Sequence, residues 1–185
     1  MKRSIVLLLL SISLLLSGCQ KTEPSSTGSG SASADAVSVT VIDTTTLFSE
    51  RDLDGSYDES AAVRIQLEGE TAACDSDAVS IDGSRITLLD EGTYLVSGTL
   101  ADGQIVVDAG DTDKVQIVLA GVNLTCANSA AIYSKNADKV FLTLAEGTEN
   151  TLTNGGSYSA IDENNIDAVI FSKTDLTLNG SGSLT

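Results

Sequence analysis

Asp113-Lys114-Val115-Gln116-Ile117-Val118-Leu119-Ala120 and Asp138-Lys139-Val140-Phe141-Leu142-Thr143-Leu144-Ala145 are two copies of one segment, set 25 residues apart. Each opens with the same charged pair and runs on through alternating apolar residues, the period-two signature of a half-buried strand. Working outward, a first family of strands is read at 77–81, 105–108, 131–135 and 168–173. A second family is read at 86–88, 115–119, 140–144 and 176–178, and a third at 94–97, 122–125, 151–153 and 183–185. Gly, Asp and Asn separate the strands, as turns require. Three strands and three turns in about 25 residues make one coil of a solenoid. The expected fold is therefore all-β, a right-handed parallel β-helix of about four coils, in which like side chains stack over like every ~4.8 Å. An antiparallel sandwich shares the short strands but does not predict the recurring order of strand and turn. The longer spacing after residue 154 falls in the polar stretch 155–165, read as a loop thrown out of one corner; insertions in solenoids gather on one face, often the binding face.

The chain upstream is of another kind. Lys2 and Arg3, an apolar run from Ile5 to Leu16, then Ser17 and Gly18 read as an export signal over 1–18, too short for a membrane span of ~20 residues. Leu16-Ser17-Gly18-Cys19 looks like a bacterial lipobox, with Cys19 as the lipidated residue and new N-terminus. Residues 19–36, rich in Ser, Gly, Thr and Ala, then form a flexible tether that holds the domain 37–185 away from the membrane, which is met only through the lipid. These features place the protein on the outside of a bacterial cell; it is expected to be a monomer. The sequence stops at Thr185 in phase with the repeat, which suggests that further coils follow.

Beyond Lys21, seven basic residues face 26 acidic ones, a net charge of −19. Nucleic acid is excluded as a partner on that balance, and an anionic polysaccharide requires a bridging cation. There is no histidine, so Ser-His-Asp hydrolysis and histidine acid–base or metal chemistry are excluded. Cys74 and Cys126 lie about two coils apart in this register, beyond the ~7 Å between Cα atoms that a disulfide spans, and are expected to be free and buried.

Five stretches carry a resemblance to a known family. They are Phe48-Ser49-Glu50-Arg51-Asp52-Leu53-Asp54-Gly55-Ser56-Tyr57-Asp58, Gly92-Thr93-Tyr94-Leu95-Val96-Ser97-Gly98-Thr99-Leu100, Asp113 through Asn123, Leu144-Ala145-Glu146-Gly147-Thr148-Glu149-Asn150-Thr151, and Asp167 through Leu176. In these the chain resembles the bacterial lipoprotein family of parallel β-helix carbohydrate-binding domains, similar to pectate lyases but non-catalytic. The resemblance implies binding of cellulose-type or acidic, galacturonate-type glycans. It covers the first coils only, so ligand residues on later coils do not carry over.

The candidate site residues follow from the turns. Stacked carboxylates about 5 Å apart repel, and calcium, which takes six to eight oxygens, removes that conflict and lets an acidic protein hold a uronate. Asp162, Glu163 and Asp167, with Asp138 and Asp175 on neighbouring coils, are the expected metal ligands. Asn164 and Asn165 in the loop, Tyr158 as a stacking platform, and Lys135 and Lys173 at one repeat position are the expected glycan contacts. Tyr94 and Tyr133 are expected to pack within ladders. In a lyase, Lys135 or Lys173 would abstract a proton beside calcium, and that alternative stands beside a scaffold role without glycan. The stretch 52–59 spaces its glycine wrongly for an EF-hand and is read as a capped turn.

Overall fold

The structure, a computed structural model, describes residues 47–159 and 162–185, which belong to the compact unit Ile42–Thr185. The export signal, Cys19 and the tether lie outside the described residues. Among the described residues a single turn of helix, α1 (Glu50–Leu53), precedes thirteen strands. They are β1 (Val63–Gly69), β2 (Ala72–Ala73), β3 (Val79–Asp82), β4 (Arg85–Leu88), β5 (Gly92–Leu100), β6 (Gln104–Asp108) and β7 (Lys114–Cys126). There follow β8 (Ile132–Asn136), β9 (Lys139–Leu144), β10 (Glu149–Asn154), β11 (Ile170–Ser172), β12 (Asp175–Gly180) and β13 (Ser183–Leu184).

The fold is all-β, with two mixed sheets. In the larger sheet the order β12-β9-β7-β5-β1-β2 is parallel except at β1–β2, and β10 joins β7 with β13 beside it. The smaller sheet has the order β11-β8-β6-β4-β3, parallel except at β3–β4. Lys114 stands beside Lys139 and Leu119 beside Leu144, the 25-residue offset read from the sequence. Facing side chains stack in columns: Tyr94, Ile117, Leu142 and Leu178 in the larger sheet, and Ile86, Ile105, Ile132 and Ile170 in the smaller. Except for Leu178, these residues and their neighbours Val96, Leu119 and Val107 belong to the core between the sheets, with Ile170 at its edge. Burial of such aliphatic side chains, roughly 1.5–3 kcal/mol each, is the main force holding the rungs in register.

The start of the repeat departs from the expected phase. Residues 79–82 do not stack on 105–108; β3 folds back on β4 as a hairpin closed by Gly83 and Ser84, with Asp82 opposite Arg85. Gly83 takes a φ of +60°, which an Asp-Gly turn supplies. It is therefore β4 that continues the first family. The same shift moves 94–97 into the second family, beside Ile117 and Leu142, while Gly98, Thr99 and Leu100 lead the third. Strand β1, which lies ahead of the repeat in the sequence, adds a further parallel rung beside β5. Strands β8 and β11 still pair in register across the insertion at 155–165.

Buried Asn150 turns one corner: its Oδ1 accepts from the backbone N–H groups of Gly121 and Val122 at 3.0 and 2.9 Å. Cys126 is buried and Cys74 half-buried, and among the described residues neither forms a disulfide. Tyr94 and Tyr133 are fully enclosed in the ladders.

Candidate functional site

The smaller sheet carries the residues singled out from the sequence. Ser134 of β8 stands beside Ser172 of β11, and the Lys173 N–H donates to the Ser134 carbonyl at 2.9 Å, so Lys135 and Lys173 follow equivalent positions on adjoining rungs. The Lys135 ammonium is engaged by Asp108 at 2.5 Å. Above this sheet the inserted loop is tied to Tyr133, whose hydroxyl donates to Asp162 at 2.6 Å and accepts from the Asn164 amide at 3.2 Å. Ile166 packs against Val106, Ala130, Tyr133 and Phe171 and fastens the loop from below. Enclosure of the phenol, then the adjacent carboxylate, pushes Tyr133 up to about 12, while the same hydrogen bond draws Asp162 down to about 2.

The five carboxylates expected to bind metal do not come together. Asp162 and Asn164 are engaged with Tyr133, Asp138 pairs with Lys114 at the surface, and exposed Asp175 opens β12 beside Lys139. Glu163, Asn165 and Asp167 remain exposed, and among the described residues no three His, Cys, Asp or Glu side chains are grouped to hold a metal. The spacing of acidic residues in the sequence cannot show this, because a carboxylate facing Lys or Tyr across a rung has its partner dozens of residues away. Tyr158 is exposed, as a stacking platform requires.

The larger sheet is covered by α1 and its flanks, which act as a strap. Ser49 and Asp52 cap the helix reciprocally. The Asp52 carboxylate also takes the Lys139 ammonium at 2.5 Å and the Thr177 hydroxyl at 2.5 Å, although these groups lie far along the chain. Arg51 donates to Gln116 at 2.8 Å, and the Gln116 amide donates to the Thr143 hydroxyl at 3.0 Å. This explains why the polar Gln116 and Thr143 are buried within a strand face that alternation would turn to solvent. Asp54 and Asp58 accept from Ser56 and Ser60 backbone N–H groups at 2.9 Å, the capped turns expected in place of an EF-hand.

Lys139 first, then the Thr177 and Ser49 hydroxyls, hold the Asp52 carboxyl far below the usual carboxylate range. A carboxyl with a depressed folded-state pKa stabilises the fold in full above its unfolded value, near 4, and that contribution is lost as pH falls toward the folded value. Thermal unfolding measured between pH 7 and pH 2 should therefore show Asp52→Asn less stable than wild type at pH 7, with the two curves converging below pH 4. Curves that stay parallel would show that this ion pair is not coupled to folding.

A third feature was not singled out in the sequence. The β3–β4 turn, the β5–β6 turn, the β7–β8 turn and the landing of the inserted loop stack at one corner and enclose an open cleft of about 620 Å³. Asp82, Arg85, Asp102 and Asn128 line its exposed rim, and Gln104 and Ser129 form its buried floor. Asp102 Oδ1 accepts from the Ala127 N–H at 2.9 Å, Asn154 donates to the Ser129 carbonyl at 3.1 Å, and the Gln104 amide donates to the Ala130 carbonyl. These bonds link each turn to the next rung and fix the cleft's shape. Its sequence signal was phase: Asp102-Gly103-Gln104 and Ala127-Asn128-Ser129 precede successive members of one strand family.

Comparison with known proteins agrees with this architecture. A protein of Acetivibrio thermocellus described as carbohydrate-binding domain-containing is 41% identical over 111 residues, covering 59% of this chain and 39% of its own length. The solved structure of a polysaccharide lyase-like protein from C. thermocellum, a gadolinium derivative, superposes with a TM-score of 0.63 at 37% identity, over 66% of this chain and 51% of that one. The chain thus spans about half or less of the length of these relatives. A family model described as carbohydrate-binding domain-containing protein matches residues 82–185, more than half of the sequence, and the chain belongs to that family.

Proposed function

We propose that this chain is a bacterial cell-surface lipoprotein, anchored through Cys19, whose rungs form a right-handed parallel β-helix that binds polysaccharide without cleaving it. The observation that carries the reading is the open, polar corner cleft, whose carboxylate, amide, hydroxyl and guanidinium groups suit a hydroxyl-rich ligand better than an apolar one. Family membership supports it. Glycans of the cellulose type and of the acidic, galacturonate type are the proposed ligands, with Tyr158 and the exposed Asn165 of the loop at the contact surface. Of the two lysines that elimination would call on, Lys135 is engaged by Asp108, which speaks against it as a free base, while Lys173 is exposed. Calcium belongs to the acidic-glycan part of the reading, with exposed Glu163 and Asp167 as oxygen donors; the loop as described does not gather a full ligand set, so no binding step is assigned to the ion.

The full chain, purified in detergent, should sediment with insoluble cellulose and be retarded in gels containing polygalacturonate, with EDTA weakening only the latter. Absorbance at 235 nm should stay flat with polygalacturonate and calcium, and Cys19→Ser should release the protein from membranes. Retention no greater than that of an unrelated acidic protein would overturn the binding reading; a steady rise at 235 nm would make the protein a lyase.

A further inference from the structure

We infer that the corner cleft is a subsite for a neutral, hydroxyl-bearing sugar ring, and that the Ser129 hydroxyl is a specificity-determining contact within it. The inference rests on the glycan-binding reading and assigns it a place and a chemistry.

Ser129 is 5% exposed, and its Oγ has no hydrogen-bond partner among the described residues. It is the only buried side-chain oxygen or nitrogen of which this is true among those residues. More than about 90% of buried polar groups in proteins are bonded, so an orphan is a group awaiting a partner. The serine's backbone is held in place, because its own carbonyl accepts from the Asn154 amide on the adjoining strand. The neighbouring floor residue, Gln104, is fixed by its bond to the Ala130 carbonyl.

The rim sets the class of ligand. Asp102 uses Oδ1 to accept from Ala127, which leaves Oδ2 for a ligand hydroxyl, and Asp82 adds a second exposed carboxylate. Among the described residues Arg85 is the one cation in the cleft wall. Two carboxylates against one guanidinium favour a neutral donor of hydrogen bonds and disfavour a uronate. At about 620 Å³ the cleft lies within the ~300–1,000 Å³ of small-ligand sites, yet its lining is polar where most such sites are apolar. The Ser159 N–H donates to the Asn128 carbonyl, which brings the loop, and Tyr158 beside it, to the cleft's edge.

The test uses the full chain with a soluble cello-oligosaccharide and with polygalacturonate, read by titration calorimetry and by thermal unfolding. Ser129→Ala removes a hydroxyl that bonds to nothing among the described residues, so its unfolding temperature should equal or exceed that of wild type. Its affinity for the neutral oligosaccharide should fall about fivefold to tenfold, the worth of one hydrogen bond. Asp102→Asn keeps the acceptor that holds Ala127 and should weaken the same ligand by a similar factor. Unchanged affinity in both variants, with wild type binding, would overturn this site and leave the glycan reading standing. Ser129→Ala affinity falling only in step with a lowered unfolding temperature would make the hydroxyl structural and also overturn the site. Wild type that binds polygalacturonate alone would overturn the neutral assignment, and wild type that binds neither would overturn both the site and the reading beneath it.

Discussion

Gly98→Ala should lower the thermal unfolding midpoint by about 6–15 °C, at about 3 °C per kcal/mol for a chain of this size. Gly98 lies where β5 turns between its second-family and third-family portions. There the pairing with β7 slips, so that Val96 faces Leu119 while Gly98 faces Val122. The slip is accommodated by a φ of +97°, which a residue with a Cβ adopts at roughly 1–2 kcal/mol. A Cβ placed there would lie 2.4 Å from the Leu67 carbonyl oxygen and 2.4 Å from the Gln66 amide nitrogen. Gln66 is the end of a flexible side chain and can move. The Leu67 carbonyl is backbone of β1, held by the β1–β5 ladder, and can retreat only if the rung opens, which adds overpacking strain of roughly 1–3 kcal/mol. A midpoint within about 2 °C of wild type would show that the corner is looser than this geometry requires.

Ile117→Ala should destabilise the fold by about 2–5 kcal/mol, a large share of the 5–15 kcal/mol that holds a typical domain together. Ile117 is fully buried in the column Tyr94, Ile117, Leu142, Leu178, with a strand paired on either side of it. Because both neighbouring rungs are hydrogen-bonded to their own neighbours, the cavity cannot close by collapse. Leu178 offers an internal control: it occupies the same column but is 54% exposed, so Leu178→Ala should change stability by only about 0.5 kcal/mol. Denaturant unfolding of the two variants separates the contributions. Equal losses would mean that the column does not act as a stacked core.

The strand inventory was largely legible in the sequence, since alternation and turn residues act locally. The copy at 113–120 and 138–145 stacks in the register its spacing implies, and the families at 105–108, 131–135 and 168–173 align as read. The start of the repeat differs from a backward translation of its later members, because β3 folds back on β4. The Asp82-Gly83 dipeptide carried the contrary signal, a hairpin that reverses the chain and gives the smaller sheet an antiparallel edge. Strand β1 is not legible in the repeat, because it precedes it and borrows its register from β5.

The site residues divide along the same line. Exposed Tyr158 and the ladder positions of Tyr94 and Tyr133 followed from composition and phase. The partners of Asp162, Asp138 and Asp52 did not, because Tyr133, Lys114 and Lys139 meet them only when rungs or strap are laid over one another. What the sequence by itself determined is the all-β character, the 25-residue period and the inward-facing aliphatic columns, because each depends on residues within a few positions of one another. Only the tertiary structure decided which carboxylates are already neutralised and which turns stack into a cleft with an unpartnered serine at its floor. Those depend on contacts across rungs, and a side chain's partner there is set by the register of stacking and not by its place along the chain.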